Sequence, residues 1–493
     1  MNKTPFLMLP LALAIGACTV GPDFVRPETI VAQTYAAKGD APPPPDQHVS
    51  LGGTIEGDWW AGFRSPALDS VIRQAIADNQ DIASAKARVA EAQEDVNAAE
   101  GALLPQVSLG ATVERQKYGA ALFGPANFSI PPFTYYSVGP SVSFPLDLFG
   151  GQKRTVEERA AYKEYQGYEL DAAYLSLTAN VAAQALTAAA THAQITVLEG
   201  IVEDDAQNVQ LVERALNIGS ATRTQLLAAQ SQLATDRTLL PDLQQQGSTA
   251  RHALAILVGK APADWTPPDF TLNDFTLPSE IPASLPSELL RRRPDILAAE
   301  AQLHVASAAI GVATANLYPR LDLTGTLTQE ALTPGGLFNS VSAAWSIAAN
   351  LTQPLFDGGQ LKAQRRAAID GYQASLASYR QAILTAFGQV ADSLQALANG
   401  SDQLRAESEA ESEAAAALDL ARRSFAVGNS GILEVIDAQR RLSQARLGLS
   451  RARAQRLLDT ARLYMALGGT PVRPPAPNAA REGGTPSKTG AVR

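Results

Sequence analysis

One cysteine, four histidines and three methionines are all that this 493-residue chain offers to soft metal chemistry. No His-x-x-x-His or Cys-x-x-Cys pair occurs, so neither a zinc site nor a dithiol has ligands at workable spacing. No Gly-rich phosphate loop and no Ser/His/Asp arrangement stands out, so no catalytic residue, cofactor or metal is assigned. Aromatic residues make up only 6% of the chain, although 46% is hydrophobic, with Ala supplying much of the difference. Small side chains let helices approach closely, which favours packed helices over a thick aromatic core. A net charge of −9 argues against a nucleic-acid partner. Long hydrophobic runs are missing too. Past Ile15 no unbroken run of about 18 apolar residues occurs, which excludes a helical membrane span and leaves a closed β-barrel as the only way across a bilayer.

The lone cysteine, Cys18, sits in an informative place. Lys3 gives a short positive start, Phe6 to Ile15 is apolar, and Ile15-Gly16-Ala17-Cys18 ends the run. That run is too short to span a membrane and reads as a signal peptide over residues 1–17. The ending resembles a bacterial lipobox, in which the cysteine becomes the lipidated first residue of the mature protein. The alternative is an ordinary signal peptide with an incidental cysteine. Thr19 after the cysteine resembles the sorting pattern of outer-membrane lipoproteins. Residues 18–57 then read as an extended linker around Pro42-Pro43-Pro44-Pro45.

What the chain has in abundance is itself. Asp81-Ile82 through Leu103-Leu104-Pro105 recurs as Asp295-Ile296 through Leu317-Tyr318-Pro319, at a constant offset of 214 residues. A second block, Arg214, Gly219, Ala229-Gln230, Leu233 and Gly259, recurs as Arg423, Gly428, Ala438-Gln439, Leu442 and Gly468 at an offset of 209. A unit of that length is far too long for a solenoid repeat, so the chain is one domain's worth of structure duplicated and fused. The repeats run over 58–262 and 288–471, with a linker at 263–287 and a Pro/Gly/Ser/Arg-rich tail at 472–493 that reads as disordered.

Each repeat carries the same three kinds of segment. A helix from about Asp81 to Ala102, matched by one from Pro294, breaks at a proline into strict period-two alternation. The alternation predicts strands at about 106–118 and 134–146, then at about 319–330 and 341–354, each with one apolar and one small-polar face. Strands of about 10 residues suit a tilted bilayer crossing, although any single hairpin also fits a soluble half-buried sheet. Long helical stretches follow, at about 152–258 and 360–467, within which proline is absent from Pro145 to Pro241 and from Pro354 to Pro471. Gly219 and Gly428 mark the turns, and a helix of about 65 residues is roughly 100 Å long. Val435, Ala438, Leu442, Ala445, Leu449 and Ala452 form a heptad seam. Its counterpart is Leu226, Ala229, Leu233, Leu240 and Leu243, broken by Asp236, and Pro241 interrupts that helix. Four amphipathic strands cannot close a barrel, so sister copies must seal the edges: two give eight strands, three give twelve, four give sixteen.

Several strings now carry a resemblance. Cys18-Thr19-Val20-Gly21-Pro22-Asp23, Asp58-Trp59-Trp60 with Phe63 and Pro66, Leu289-Leu290-Arg291-Arg292-Arg293-Pro294-Asp295-Ile296, and Pro354-Leu355-Phe356-Asp357-Gly358-Gly359 resemble the TolC-like outer membrane factors. The match is to the lipoprotein branch (NodT/OprM-like) that serves resistance-nodulation-division (RND) efflux pumps, and it covers nearly the whole mature chain. It implies a mainly α protein with a membrane β-barrel portion: four strands per protomer, twelve in a homotrimer. It also implies a coiled-coil α-barrel in the periplasm and an equatorial mixed domain. The implied activity is passive export of small molecules handed over by an inner-membrane pump and a periplasmic adaptor, from a lipid-anchored position in the outer membrane. The turn Val427-Gly428-Asn429-Ser430-Gly431 and the helix start with Glu434 and Asp437 match the family's periplasmic tip, which implies that these two acids ring the entrance. The tips Gly219, Ser220, Gly428, Asn429 and Ser430 are the implied adaptor contacts. TolC itself has Arg where this chain has Ser430, so the closing bridge made by that Arg is not implied here. Taken alone, Glu434 and Asp437 read as a solvated helix face. His192, His252 and His304 read as structural or solvated, and the Arg291–Arg293 run as pairing with acidic neighbours. Two other readings are a coiled-coil adaptor or scaffold lipoprotein and a channel for type I protein secretion.

Overall fold

The computed structural model describes residues 19–28, 34–42, 44, 46–53, 55, 57–118 and 131–468. The signal segment, Cys18, most of the Gly119–Pro132 connection and the 472–493 tail lie outside the described residues. In chain order the elements are β1 (His48–Leu51), α1 (Pro66–Asp78), α2 (Gln80–Gly101), β2 (Gln106–Gln116), β3 (Phe133–Leu146), α3 (Gly151–Asn217), α4 (Arg223–Arg237) and α5 (Leu240–Leu257). There follow β4 (Glu280–Ala283), α6 (Pro286–Leu289), α7 (Pro294–Ala315), β5 (Arg320–Ala331), β6 (Ala343–Thr352), α8 (Gln360–Ala426) and α9 (Ile432–Leu467). The chain divides into two compact units, one of residues 1–28, 88–166 and 298–379, the other of 29–87, 167–297 and 380–493.

The first unit holds the sheet. Its order is β2-β3-β5-β6, with every neighbouring pair antiparallel. β2 and β3 form the hairpin of the first repeat, β5 and β6 that of the second, and β3 pairs with β5 where the repeats meet. Helix α7 leads into β5 and corrects one expectation. By length and composition it is apolar enough to cross a membrane, although no unbroken apolar run marks it in the sequence. Asp295, Glu300, Gln302 and His304 interrupt the run while Ala, Ile, Leu and Val keep its average high. The apolar residues are used in packing, with Leu303, Ala308 and Ile310 buried. Its polar residues are paired, Glu300 to Arg26 at 2.6 Å and His304 to Glu157 at 3.0 Å. Both features belong to a core helix.

The second unit is built from helices and two short strands. Each long helix, α3 and α8, is 67 residues, about 100 Å at 1.5 Å per residue. The returning helix of the second repeat, α9, is continuous, whereas that of the first is split into α4 and α5 at Thr238–Leu239, with Pro241 in the first turn of α5. Proline has no N–H to donate and is tolerated only in a first turn, so the break falls where the sequence requires it. Ser65 caps α1 by accepting from the Leu68 N–H, with Pro66 next in line.

Each segment read as a linker contributes one short strand among the described residues. β1 and β4 pair in parallel from His48↔Glu280 to Leu51↔Ala283. Nearby, Trp59, Trp60 and Phe63 are buried against Phe275 and Tyr464; the Trp59 and Tyr464 rings stack at 5.5 Å and Phe63 meets Phe275 edge-on at 6.4 Å. Of the three consecutive arginines only Arg293 is buried. Its guanidinium donates to Asp295 at 2.8 Å, to the Ala466 carbonyl at 2.8 Å and to Gln389. Those charge-assisted bonds tie the start of α7 to α8 and to the end of α9.

Candidate functional site

Three places are candidates for function. The first is the rim of the sheet. Among the described residues β2 and β6 each have a sheet neighbour on one side only, so each presents a row of backbone N–H and C=O groups without a strand partner. Val107, Leu109 and Val113 on β2, with Trp345, Ile347 and Leu351 on β6, are exposed large apolar side chains. The alternate positions are small and polar. Ser108 meets Ser141 at 2.8 Å, and Thr326 meets Ser346 at 2.7 Å. A sheet greasy on one face and wet on the other suits a wall between lipid and a water-filled lumen. In hydrocarbon its open edges would be untenable.

The second is the strap formed by the residues directly after Cys18. The Val20 N–H donates to the Phe149 carbonyl at 3.1 Å, beyond the end of β3. Arg154, buried at the start of α3, reaches the Val20 carbonyl at 3.3 Å, the Gly21 carbonyl at 3.4 Å and Asp23 at 2.7 Å. Gly21 lies so close to Gly311 of α7 that a Cβ would meet the Gly311 Cα, and a Cβ on Gly311 would in turn meet the Arg154 side chain. Phe24 then stacks on His304 with ring centroids 4.4 Å apart. The strap fixes Thr19 beside the start of α3 and the end of β3. Sequence reasoning misses Arg154, since nothing local distinguishes it from a surface arginine.

The third is the pair of helical turns. At the first, Gly219 takes φ +79° while the Ser220 N–H and Oγ both donate to the Ala215 carbonyl. Thr222 and Gln225 close a reciprocal capping box on α4. At the second, Gly428 takes φ +78° and the Asn429 N–H donates to the Ser424 carbonyl at 2.9 Å. Ser430 is half-buried and its Oγ has no partner. Behind the turns Val212, Leu226, Ala229, Leu418, Ile432, Val435, Ala438 and Leu442 form one buried cluster from four helices, as the heptad seam requires. Ile218 and Val427 stay exposed at the tips.

The two acids at the second turn differ. Glu434 is exposed, and no ion pair to it occurs among the described residues. Asp437 is half-buried, pairing with Arg440 at 2.7 Å and Arg441 at 2.8 Å, and these arginines hold its carboxyl below the usual range. Of the two, Glu434 is the free charge. Further along, Gln439 is buried, donates to Asp204 at 2.9 Å and accepts from Arg422 at 3.0 Å. Next to this network Asp205 is 6% exposed. Burial, a hydrogen bond with Asp236 and the charges of Asp236 and Asp204 push its pKa up to about 7. In the sequence Asp236 shows only as the residue that breaks the first seam. Among the described residues no cluster of three or more His, Cys, Asp or Glu is arranged to hold a metal.

An amphipathic sheet of membrane-crossing strands, joined to two helices about 100 Å long that pair with shorter returning helices, defines the class: an outer-membrane channel protein. The chain belongs to the outer membrane efflux protein family, whose model matches residues 71–260 and 285–469, one stretch in each repeat. It is similar to the pyoverdine export outer membrane protein OpmQ of Pseudomonas aeruginosa, 33% identical over 419 residues, which are 83% of this chain and 87% of that protein. The cation efflux system protein CusC of Escherichia coli is 28% identical over 471 residues, 94% of this chain and 100% of that protein. The solved structure of the outer-membrane channel OprN superposes with a TM-score of 0.84 at 28% identity, covering 92% of this chain and 99% of that one.

The Asp205 pair predicts a pH dependence. A carboxyl whose folded pKa is raised keeps its proton longer in the folded state than in the unfolded chain. Its contribution to stability is therefore lost as pH rises from the ordinary carboxylate range to about 7. Asp205→Asn removes the term and supplies an amide donor to Asp236. Thermal unfolding followed by circular dichroism at pH 5 and pH 8 should show stabilisation growing with pH, on the order of 1–3 kcal/mol at pH 8. A gain independent of pH would contradict it.

Proposed function

We propose that the chain assembles as a homotrimer whose twelve strands close an outer-membrane barrel. It accepts small molecules from an RND-type inner-membrane pump through a periplasmic adaptor. The observation that carries this reading is the four-stranded sheet with an exposed apolar face and two unpaired edges, which only further strands can complete. Transport through such a conduit is passive, and the energy comes from the pump. One relative is named for pyoverdine export and another for cation efflux, so a shared fold accompanies chemically different cargo. The cargo of this chain is accordingly chosen by the pump and adaptor, and small molecules are favoured over secreted proteins. Family membership sets the adaptor or scaffold reading aside.

Cys18 carries the lipid anchor. The strap from Thr19 to Phe24 supports this, because it holds Thr19 beside the end of β3, a strand of the membrane sheet. The mature N-terminal peptide should therefore begin at Cys18 with added acyl mass; a chain keeping Met1, or starting at an unmodified residue, contradicts it. The tips, with Gly219, Ser220, Gly428, Asn429 and Ser430, meet the adaptor. Rigid turns bearing exposed Ile218 and Val427 beside polar side chains suit docking onto a helical partner.

Glu434 and Asp437 line the periplasmic entrance, where carboxylates attract cations and disfavour anions. The protein in planar bilayers should give discrete conductance steps with a cation preference. Glu434→Gln should lower the cation-to-anion permeability ratio several-fold, and Asp437→Asn by less, because Arg440 and Arg441 already offset that charge. Inserted protein without conductance would sink the channel reading. Unchanged reversal potentials for Glu434→Gln would remove Glu434 from the entrance.

A further inference from the structure

The second unit contains a cavity of about 760 Å³, bounded by α3, α8, α9 and the segment that joins the repeats. That volume suits a small organic ligand. The joining segment forms a fixed wall. Thr271 donates through its N–H and Oγ1 to the Asp274 carboxylate at 2.7 and 3.0 Å, and the Thr276 N–H donates to the Phe63 carbonyl at 2.8 Å. Leu272, Phe275 and Leu277 of this segment line the cavity, and Leu449 and Leu457 of α9 add apolar surface. A wall already held in place spares a ligand the cost of ordering it.

The charge of the lining is one-sided. Arg446, Arg453 and Arg456 line the cavity against one carboxylate, Glu411, on a chain whose net charge is −9. Arg456 is buried and already bonded, to Asp46 at 2.8 Å and to the Leu397 carbonyl. Arg446 is held loosely, with Glu411 at 3.5 Å and Asp204 at 4.0 Å. Both distances exceed the roughly 2.9 Å limit of a good charge-assisted hydrogen bond. Arg453 is exposed, and it makes no hydrogen bond or ion pair among the described residues. Arg446 and Arg453 stand seven residues apart on one face of α9, with Leu449 and Ser450 between them. The Ser450 Oγ and the Arg456 Nε are buried without a partner. Orphaned buried polar atoms are rare in folded proteins, and an absent ligand is one cause of them.

The duplication supplies an internal comparison. The offset of 209 carries Gln244 onto Arg453 and Gly247 onto Arg456. Gln244 and Gly247 line a second cavity, of about 380 Å³, against α3 and the same joining segment. Its lining has one arginine, Arg251, and one carboxylate, Asp269. Both repeats leave a hollow at this level, and the second is the larger and the more cationic.

We propose that the larger cavity binds a small organic anion with an apolar body. The carboxylate or sulfonate head sits on Arg453, and the body lies against Leu272, Phe275 and Leu449. A cation would meet Glu411, which already faces Arg446, and would be repelled by Arg453. A neutral molecule of the same shape would gain the apolar contacts and nothing from the guanidinium. The site lies within one chain, so it stands whether or not the oligomer proposed above does.

Titration calorimetry on the full chain, purified in a neutral detergent, tests the proposal with 2-naphthalenesulfonate as the probe. Neutral 2-naphthalenemethanol and cationic 2-naphthylmethylammonium share its body. The sulfonate should saturate at one per chain and bind at least about tenfold more tightly than the alcohol, with no saturable binding of the ammonium. Arg453→Gln, which installs the residue of the first repeat, should weaken the sulfonate by about tenfold or more, and Arg453→Lys should recover part of that loss. Ala193→Trp, which fills the cavity from α3, should abolish binding. Arg251→Gln, in the smaller cavity, should leave the affinity unchanged. Circular dichroism and native mass matching the parent show that each variant is folded. Equal affinity for sulfonate and alcohol, or no saturable binding to the parent protein, overturns the proposal without needing any variant. Full affinity in folded Arg453→Gln, or a loss in Arg251→Gln, overturns the assigned site.

Discussion

A backbone N–H or C=O in hydrocarbon has no water to turn to, and each one left unpaired costs several kcal/mol. Strands β2 and β6 present two rows of such groups on a sheet whose apolar face is built for lipid. The remainder of the molecule answers that constraint. A chain with two hairpins leaves two edges, and a ring of chains leaves none. Closing the ring also creates the lumen, so the requirement that stabilises the sheet in a membrane makes the protein a conduit.

Duplication is the economical way to meet this constraint. One hairpin and one helix pair, copied and fused, provide two hairpins that already pair along an internal seam, β3 on β5. The two copies have since diverged where their surroundings differ. The first returning helix is broken at Thr238–Leu239 while the second is continuous, and Asp236 stands where the second repeat keeps Ala445 in the seam. Buried Asp205 beside Asp236 stores an electrostatic penalty in the first repeat that has no counterpart in the clean seam of the second.

Much of this was legible in the amino-acid order, because the informative signals were periodic or punctuating. Period-two alternation placed the four strands, the proline-free stretches placed α3 and α8, and Gly219 and Gly428 placed the turns, since an L-residue with a side chain rarely adopts their backbone angles. What escaped was non-local. Strands β1 and β4 are four residues each, lie more than two hundred positions apart and carry no hairpin signal. Arg154 and Arg293 look like any other arginine until the chain segments they tie together are in place. At the second turn, residue type and spacing give Glu434 and Asp437 equal standing, and only the folded helix shows Asp437 held by Arg440 and Arg441. Helix α7 shows the opposite failure: its composition fits a membrane, and its packing is that of a core.

The central claim is that β2 and β6 are paired strands once the protein sits in its membrane. Amide hydrogen exchange on the full chain reconstituted in lipid bilayers measures this strand by strand, with β3 and β5 as internal references. Protection of β2 and β6 equal to that of β3 and β5 is the predicted result. Amides of β2 and β6 that exchange at the rate of an open edge, while β3 and β5 stay protected, would contradict the account.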